Sequence, residues 1–196
     1  MVYPYLLFAA IPLSVVVFLP QLPPPPLVPP VRVQVDNAFQ QGLSAINTGS
    51  PAKLRLALLN GVSPNARSST GETLLMAAVE SGHAELVRLL LQAEASVNAA
   101  DDTGGTALMF AALAARADLV RMLLEAGAYP DAADSDGETA LMFAIDADSM
   151  ACVQLLLAAG ASVDIMDHFG ESPLQRALRL RLYTIADLLR DVAAEQ

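Results

Sequence analysis

Apolar residues in the second half of the chain fall into two alternating helical patterns. From Ala140 to Ile145 the run is unbroken and suits a short helix, while Cys152, Val153, Leu155, Leu156 and Leu157 make an i, i+3, i+4 stripe for burial on a second one. Gly160 stops that helix where a left-handed turn is needed, and Val163 to Gly170 reads as an extended arm and tight turn. The same order recurs every 33 positions. Gly71, Gly104, Gly137 and Gly170 mark the period, and each is followed two residues later by Thr73, Thr106, Thr139 or Ser172. A fixed interval of this length is the mark of a solenoid whose units stack on their neighbours. The pattern therefore predicts helix pairs joined by arms over 71–103, 104–136, 137–169 and 170–196.

A fainter unit precedes them over 38–70. Asn65 lines up with Asn98, Asp131 and Asp164, and Gly61 with Gly127 and Gly160, but Ala38 stands in the glycine column and Gln40 in the threonine column. Ser50-Pro51 reads as a helix cap followed by proline at the first helical position. Loss of pattern suits a capping unit whose outer face meets water. The last unit, Gly170 to Gln196, has both helices and no further arm. Its Arg176, Arg179, Arg181 and Arg190 read as the polar face of a second cap, or else as a basic binding spot. Glu94 departs from the glycine column of Gly61, Gly127 and Gly160. A left-handed backbone there costs a non-glycine residue about 1–2 kcal/mol.

Glycine, short helix, longer helix, glycine and extended arm, at this period, resemble the ankyrin repeat. The family's T-P-L-H-x-A-A box is present with substitutions. Leu74, Ala107 and Ala140 replace its proline, and Met76, Met109 and Met142 its histidine; Pro173 keeps the proline and Gln175 takes the histidine place. The resemblance covers roughly residues 38–196. It implies an all-α ankyrin-repeat solenoid over 36–196, of helix-turn-helix units with short β-hairpin-like arms. The alanine-rich TALM-type units are similar to those of bacterial ankyrin proteins, several of which are exported.

The N-terminus has a different composition. Met1–Leu19 carries no charge, and Arg32 is the first charged side chain. This run raises the mean hydropathy to +0.45 and predicts a hydrophobic helix acting as a single-pass membrane anchor, with a cleaved signal peptide as the competing reading. Pro20–Pro30 predicts a polyproline stalk of about 3.1 Å per residue, within a linker spanning 20–35. An exported family resemblance favours the periplasmic over the cytoplasmic side for the repeats.

Charge narrows the choice of partner. Between Glu72 and Glu171 lie seventeen acidic residues against three basic ones, Arg88, Arg116 and Arg121, and the whole chain has a net charge of −10. An acidic body repels phosphate backbones, which argues against nucleic acid. Catalytic and metal chemistry find no foothold in the sequence. The lone cysteine, Cys152, falls in a leucine column and reads as a small hydrophobe. His83 and His168 sit in different columns, no phosphate loop, nucleophile elbow or His-Glu-x-x-His occurs, and no cofactor is implied. Met76, Met109 and Met142 read as core.

What remains is a protein-binding scaffold, expected to be monomeric, with a basic protein partner. An inhibitor of a basic enzyme or toxin, or a structural spacer, are the alternatives. In ankyrin units the turn tips and the outer part of the first helix share one side. Column by column this gives tips at Asp102, Thr103, Ser135, Asp136, Glu138, His168 and Phe169, and first-helix positions Glu80, Ser81, Leu113, Ala114, Asp146 and Ala147. The predicted face is acidic, with Leu113 and Phe169 as apolar anchors.

Overall fold

Each regular unit opens on a hydroxyl. In the computed structural model, which describes the backbone of residues 31–195 and the side chains of 37–194, the Thr73 side chain accepts the Met76 N–H at 3.2 Å. Thr106 accepts that of Met109 at 3.4 Å and Ser172 that of Gln175 at 3.3 Å. Each bond satisfies one of the N–H groups that a helix start leaves open. The Met76 and Met109 sulfurs accept the threonine N–H in return, at 3.3 and 3.4 Å. They take the reciprocal role that the Gln175 side chain plays towards the Ser172 N–H at 2.8 Å. The methionine column is buried, as expected, and two of its three members, Met76 and Met109, also close the caps.

Ten helices follow in five pairs among the described residues: α1 (Val31–Asn47) with α2 (Pro51–Leu59), α3 (Leu74–Glu80) with α4 (Ala84–Gln92), α5 (Ala107–Leu113) with α6 (Ala117–Glu125), α7 (Ala140–Asp146) with α8 (Met150–Ala158), and α9 (Pro173–Arg179) with α10 (Tyr183–Glu195). The first helices α1, α3, α5, α7 and α9 lie side by side in one layer, and α2, α4, α6 and α8 succeed one another in a second. Between them run the buried columns Leu75, Leu108, Leu141 and Leu86, Leu119, Cys152, Ile185. Burial pushes the Cys152 thiol up, which keeps it protonated and inert. At the open N-terminal end, exposed Gln41 and Lys53 occupy the columns of buried Leu74 and Leu86, as a water-facing cap requires.

The repeated glycines answer to the neighbouring unit. Gly104 has φ +83°, and a Cβ there would stand 2.8 Å from the Asp134 Cα in the next tip. Two further columns are left-handed. Glu94 has φ +61° where its counterparts are glycines, and Ala115, Asp148 and Arg181, with φ of +54°, +49° and +62°, share the column of Gly49 and Gly82. The sequence pointed to the first column and concealed the second. Glu94→Gly and Ala115→Gly should each stabilise the fold by about 1 kcal/mol at most, read as a higher denaturation midpoint. A lower midpoint in urea unfolding would show that the side chains outweigh the backbone.

Asparagines and aspartates staple consecutive units. Asn65 accepts the Ser96 N–H at 2.7 Å, Asn98 that of Tyr129 at 2.8 Å, and Asp131 that of Ser162 at 2.8 Å. One polar group lacks such a role. The buried Thr139 hydroxyl has no hydrogen-bond partner, unlike its counterparts in the flanking units. Thr139→Val should therefore be neutral or stabilising, while Thr106→Val should cost about 1 kcal/mol. Paired thermal melts would separate the two.

Three expectations are corrected. The arms are isolated antiparallel bridges, Arg67 with Thr73, Ala100 with Thr106 and Ala133 with Thr139, and not paired strands. The linker does not extend to residue 35, because α1 starts at Val31, directly after the last proline, which a helix start tolerates. The membrane anchor and the localisation built on it are withdrawn: among the described residues no helix is long and apolar enough to cross a membrane. Helix α1 is 17 residues long and includes Arg32 and Asp36. The runs Met1–Leu19 and Pro20–Pro30 lie outside the described residues.

Candidate functional site

Each turn tip is folded around one side chain. Asp101 Oδ1 accepts the N–H groups of Thr103 and Gly105, at 2.8 and 2.9 Å. Asp134 does the same for Asp136 and Glu138, and Asp167 for Phe169 and Glu171, all at 2.9 Å. These short polar side chains mimic a backbone turn, which is why aspartate recurs in that column. The tips then join in series. The N–H of Ser135 donates to Thr103 O and that of His168 to Asp136 O, both at 2.8 Å, and the N–H of Asp102 donates to Thr70 O at 3.1 Å. Asp102, Thr103, Ser135, Asp136, His168 and Phe169 therefore lie along one row, all exposed.

A second row comes from the ends of the first helices. Glu80 ends α3, Leu113 ends α5 and Asp146 ends α7, with Ser81, Ala114 and Ala147 as the next residues. Ser81 donates its hydroxyl to Ala78 O at 2.8 Å, and Ala147 is half-buried. Between the rows a cavity of about 100 Å³ is lined by Thr103, Met109, Phe110, Leu113, Asp134 and Phe143. Leu113 is 51% exposed and Phe169 85% exposed. Phe169 stands at the last tip, away from that cavity.

The family model for ankyrin repeats (3 copies) matches residues 43–134 and 126–196. The chain belongs to the ankyrin repeat family. No curated protein matches it. Ankyrin repeats make the chain a scaffold for protein–protein interaction and imply a protein partner, and such modules are typically non-catalytic. Among the described residues no group of three or more His, Cys, Asp or Glu side chains is placed to hold a metal ion.

The ankyrin face is less uniformly acidic than its columns suggested. Arg176, expected on the surface, is only 4% exposed. Its guanidinium donates to Glu138 at 2.6 Å, Asp167 at 2.7 Å, Asp146 at 3.0 Å and Glu171 at 3.1 Å. Five donors in a rigid fork allow one arginine to serve four carboxylates. Arg179 adds a bidentate pair with Glu171. The backbone N–H of Glu171, then that of Phe169 and the Arg176 charge, hold the Asp167 carboxyl below its usual range. Arg179, and after it Arg176, does the same for Glu171. Glu138 and Asp146 are therefore engaged within the protein. Arg190 pairs with Asp187 at 2.7 Å, so three of the four C-terminal arginines are engaged with carboxylates of the protein itself.

Sequence reading took Arg176 for part of an exposed cap and did not select Glu72, Asp101, Phe110 or Phe143 for the face. An available signal was the column shift itself, which sets Glu72, Glu80 and Asp101 two periods before Glu138, Asp146 and Asp167.

Proposed function

We propose that this ankyrin domain binds a basic protein partner along the two rows of tips and first-helix ends, acting as a monomer and without catalysis. The observation that carries the reading is the cavity between the rows, where Leu113 stays half-exposed beside Phe110 and Phe143. Exposed apolar anchors in a polar rim are the usual source of short-range binding energy. The surrounding charge supplies steering, since Glu80, Asp102 and Asp136 remain exposed and their fields add along the array. Ser81, Thr103, Ala114, Ser135, His168 and Phe169 complete the face. Glu138 and Asp146 support it through Arg176 and do not meet the partner directly. Polar Gln41 and Lys53 on the first unit support the monomer.

The test is binding kinetics of the full chain against partners isolated with it. Glu80→Lys should slow association, most at low salt, because exposed charge acts mainly on encounter. Leu113→Ala and Phe169→Ala should speed dissociation at any salt. Parent-like kinetics in all three variants would remove this face from consideration.

A further inference from the structure

The array builds one constellation of carboxylates twice and fills it once. In the later copy, Glu138 stands just before the helix cap Thr139, Asp146 ends α7, and Asp167 shapes the following tip; all three bind the Arg176 guanidinium. Two periods earlier, Glu72 stands just before the cap Thr73, Glu80 ends α3, and Asp101 shapes its tip through the same pair of backbone N–H groups. The column of Arg176 is there occupied by Phe110, a half-buried aromatic ring on α5. The copy between them has lost the pattern, with Gly105 and Leu113 in place of two acids.

Among the described residues no cation is paired with the acids of the earlier copy. Arg67 lies close by, but its guanidinium donates to the backbone carbonyls of Gly71 and Ala100 and pairs with none of the three acids. Burial, and after it the charges of Glu80 and Asp101, push the Glu72 carboxyl up, as expected of acids that share a site without a counter-charge. The three carboxylates do not converge as the ligands of a metal ion would. A planar guanidinium spans wider separations, as Arg176 does two units on.

We propose that Glu72, Glu80 and Asp101 form a receptor site for an arginine side chain of the protein partner, which enters over the Phe110 ring and takes the place that Arg176 fills internally in the later copy. The inference rests on the binding-face reading above and names the chemistry of its ligand. The ligand class is visible in the structure itself, because equivalent residues already hold a guanidinium. Arginine fits better than lysine, since it offers a fork to several carboxylates and a flat face to the aromatic ring. Phe110 also lines the apolar cavity with Leu113 and Phe143, so the partner segment should carry an apolar residue beside its arginine.

The probe is the peptide acetyl-Gly-Arg-Leu-Gly-amide, titrated into the isotope-labelled full chain and followed by backbone amide shifts. Saturable shifts should be confined to the surroundings of Glu72, Glu80, Asp101, Phe110 and Leu113. They should vanish when citrulline, uncharged and nearly isosteric, replaces the arginine. The Glu72→Gln and Glu80→Gln double variant should weaken binding at least tenfold or so, as loss of charged hydrogen-bond acceptors does. Phe110→Arg should fill the site from within, raise the melting midpoint and abolish the peptide response. Should that variant fold poorly, the glutamine pair reads the site by itself. Equal shifts with citrulline, shifts spread over the acidic surface, or none at all would overturn the proposal. Partner binding that is lost in Leu113→Asp but unchanged in the glutamine pair would remove the arginine site and leave the scaffold. A specific peptide response with partner binding indifferent to Leu113→Asp would do the reverse.

Discussion

Replacing Arg176 with alanine should cost about 3 kcal/mol, the low end of what removing one member of a buried ion pair costs. The loss would come less from missing attraction than from what is left behind. Glu138, Asp146 and Asp167 would face one another without a cation, and the Asp167 side chain is 1% exposed. Arg176→Met should do little better, because it restores the packing of the stem without the charge. Arg176→Lys should be intermediate, since an ammonium has three donors for four carboxylates. The damage should stay local. Units in a solenoid touch only their neighbours, so amide exchange should accelerate in α9 and α10 while α3 to α6 keep their protection. The pH dependence carries a definite sign. Asp167 and Glu171 titrate below their ordinary values when folded. Their stabilisation is thus complete above the usual carboxylate range, near about pH 4, and lost as pH falls through the depressed values. Acidification should lower the stability of the parent and narrow its gap to Arg176→Ala. A gap that widens in acid would mean the hub is held by something other than charge.

Leu141→Ala should be comparable in size, about 3 kcal/mol from lost transfer energy and the cavity left behind. Leu141 is fully buried on α7, which packs against α5, α8 and α9 at once. Few atoms around it are free to collapse into the gap. Its counterpart Leu174, on α9, is only partly buried because no further unit covers it, and the same change there should cost clearly less. Position matters as much as size. A weak joint in the middle of a linear array divides it, so the calorimetric transition of Leu141→Ala should broaden or split. A single sharp transition with an unchanged midpoint would contradict the packing described here.

The arrangement of units was legible because Gly71, Thr73 and Leu75 and their copies do the same work in each unit. A column that repeats can be read from any of its members, which is how Glu94 was recognised as a residue held in a glycine's conformation. Ala115, Asp148 and Arg181 escaped for the opposite reason: only Gly49 and Gly82 mark their column, and three other side chains hide its backbone. Arg176 was misread because arginine ordinarily belongs in water, and two of its acids, Asp146 and Glu138, stand 30 and 38 residues away. The start of α1 was misplaced because the composition of 20–30 was carried a few residues too far. On the candidate face, the column mapping located the rows; it could not separate acids that are free from acids already paired.

The constant register between units has a consequence for how such a gene can change length. The inner helices repeat with identical spans, and each tip and staple meets its neighbour through the same atoms. Duplicating or deleting one whole interior unit would leave every junction chemically familiar, whereas a change of any other length would break the junctions of the unit that carries it. The termini do not share this freedom. Lys53 and Gln41 would be buried by a unit added in front, and Arg176 depends on acids from the unit just before it. Recombination is thereby confined to the interior, and the stretch from Glu138 to Arg176 would be inherited as a block. Duplicating the unit that separates them would move the arginine receptor proposed at Glu72 farther from that block without touching either, whereas deleting it would remove Phe110.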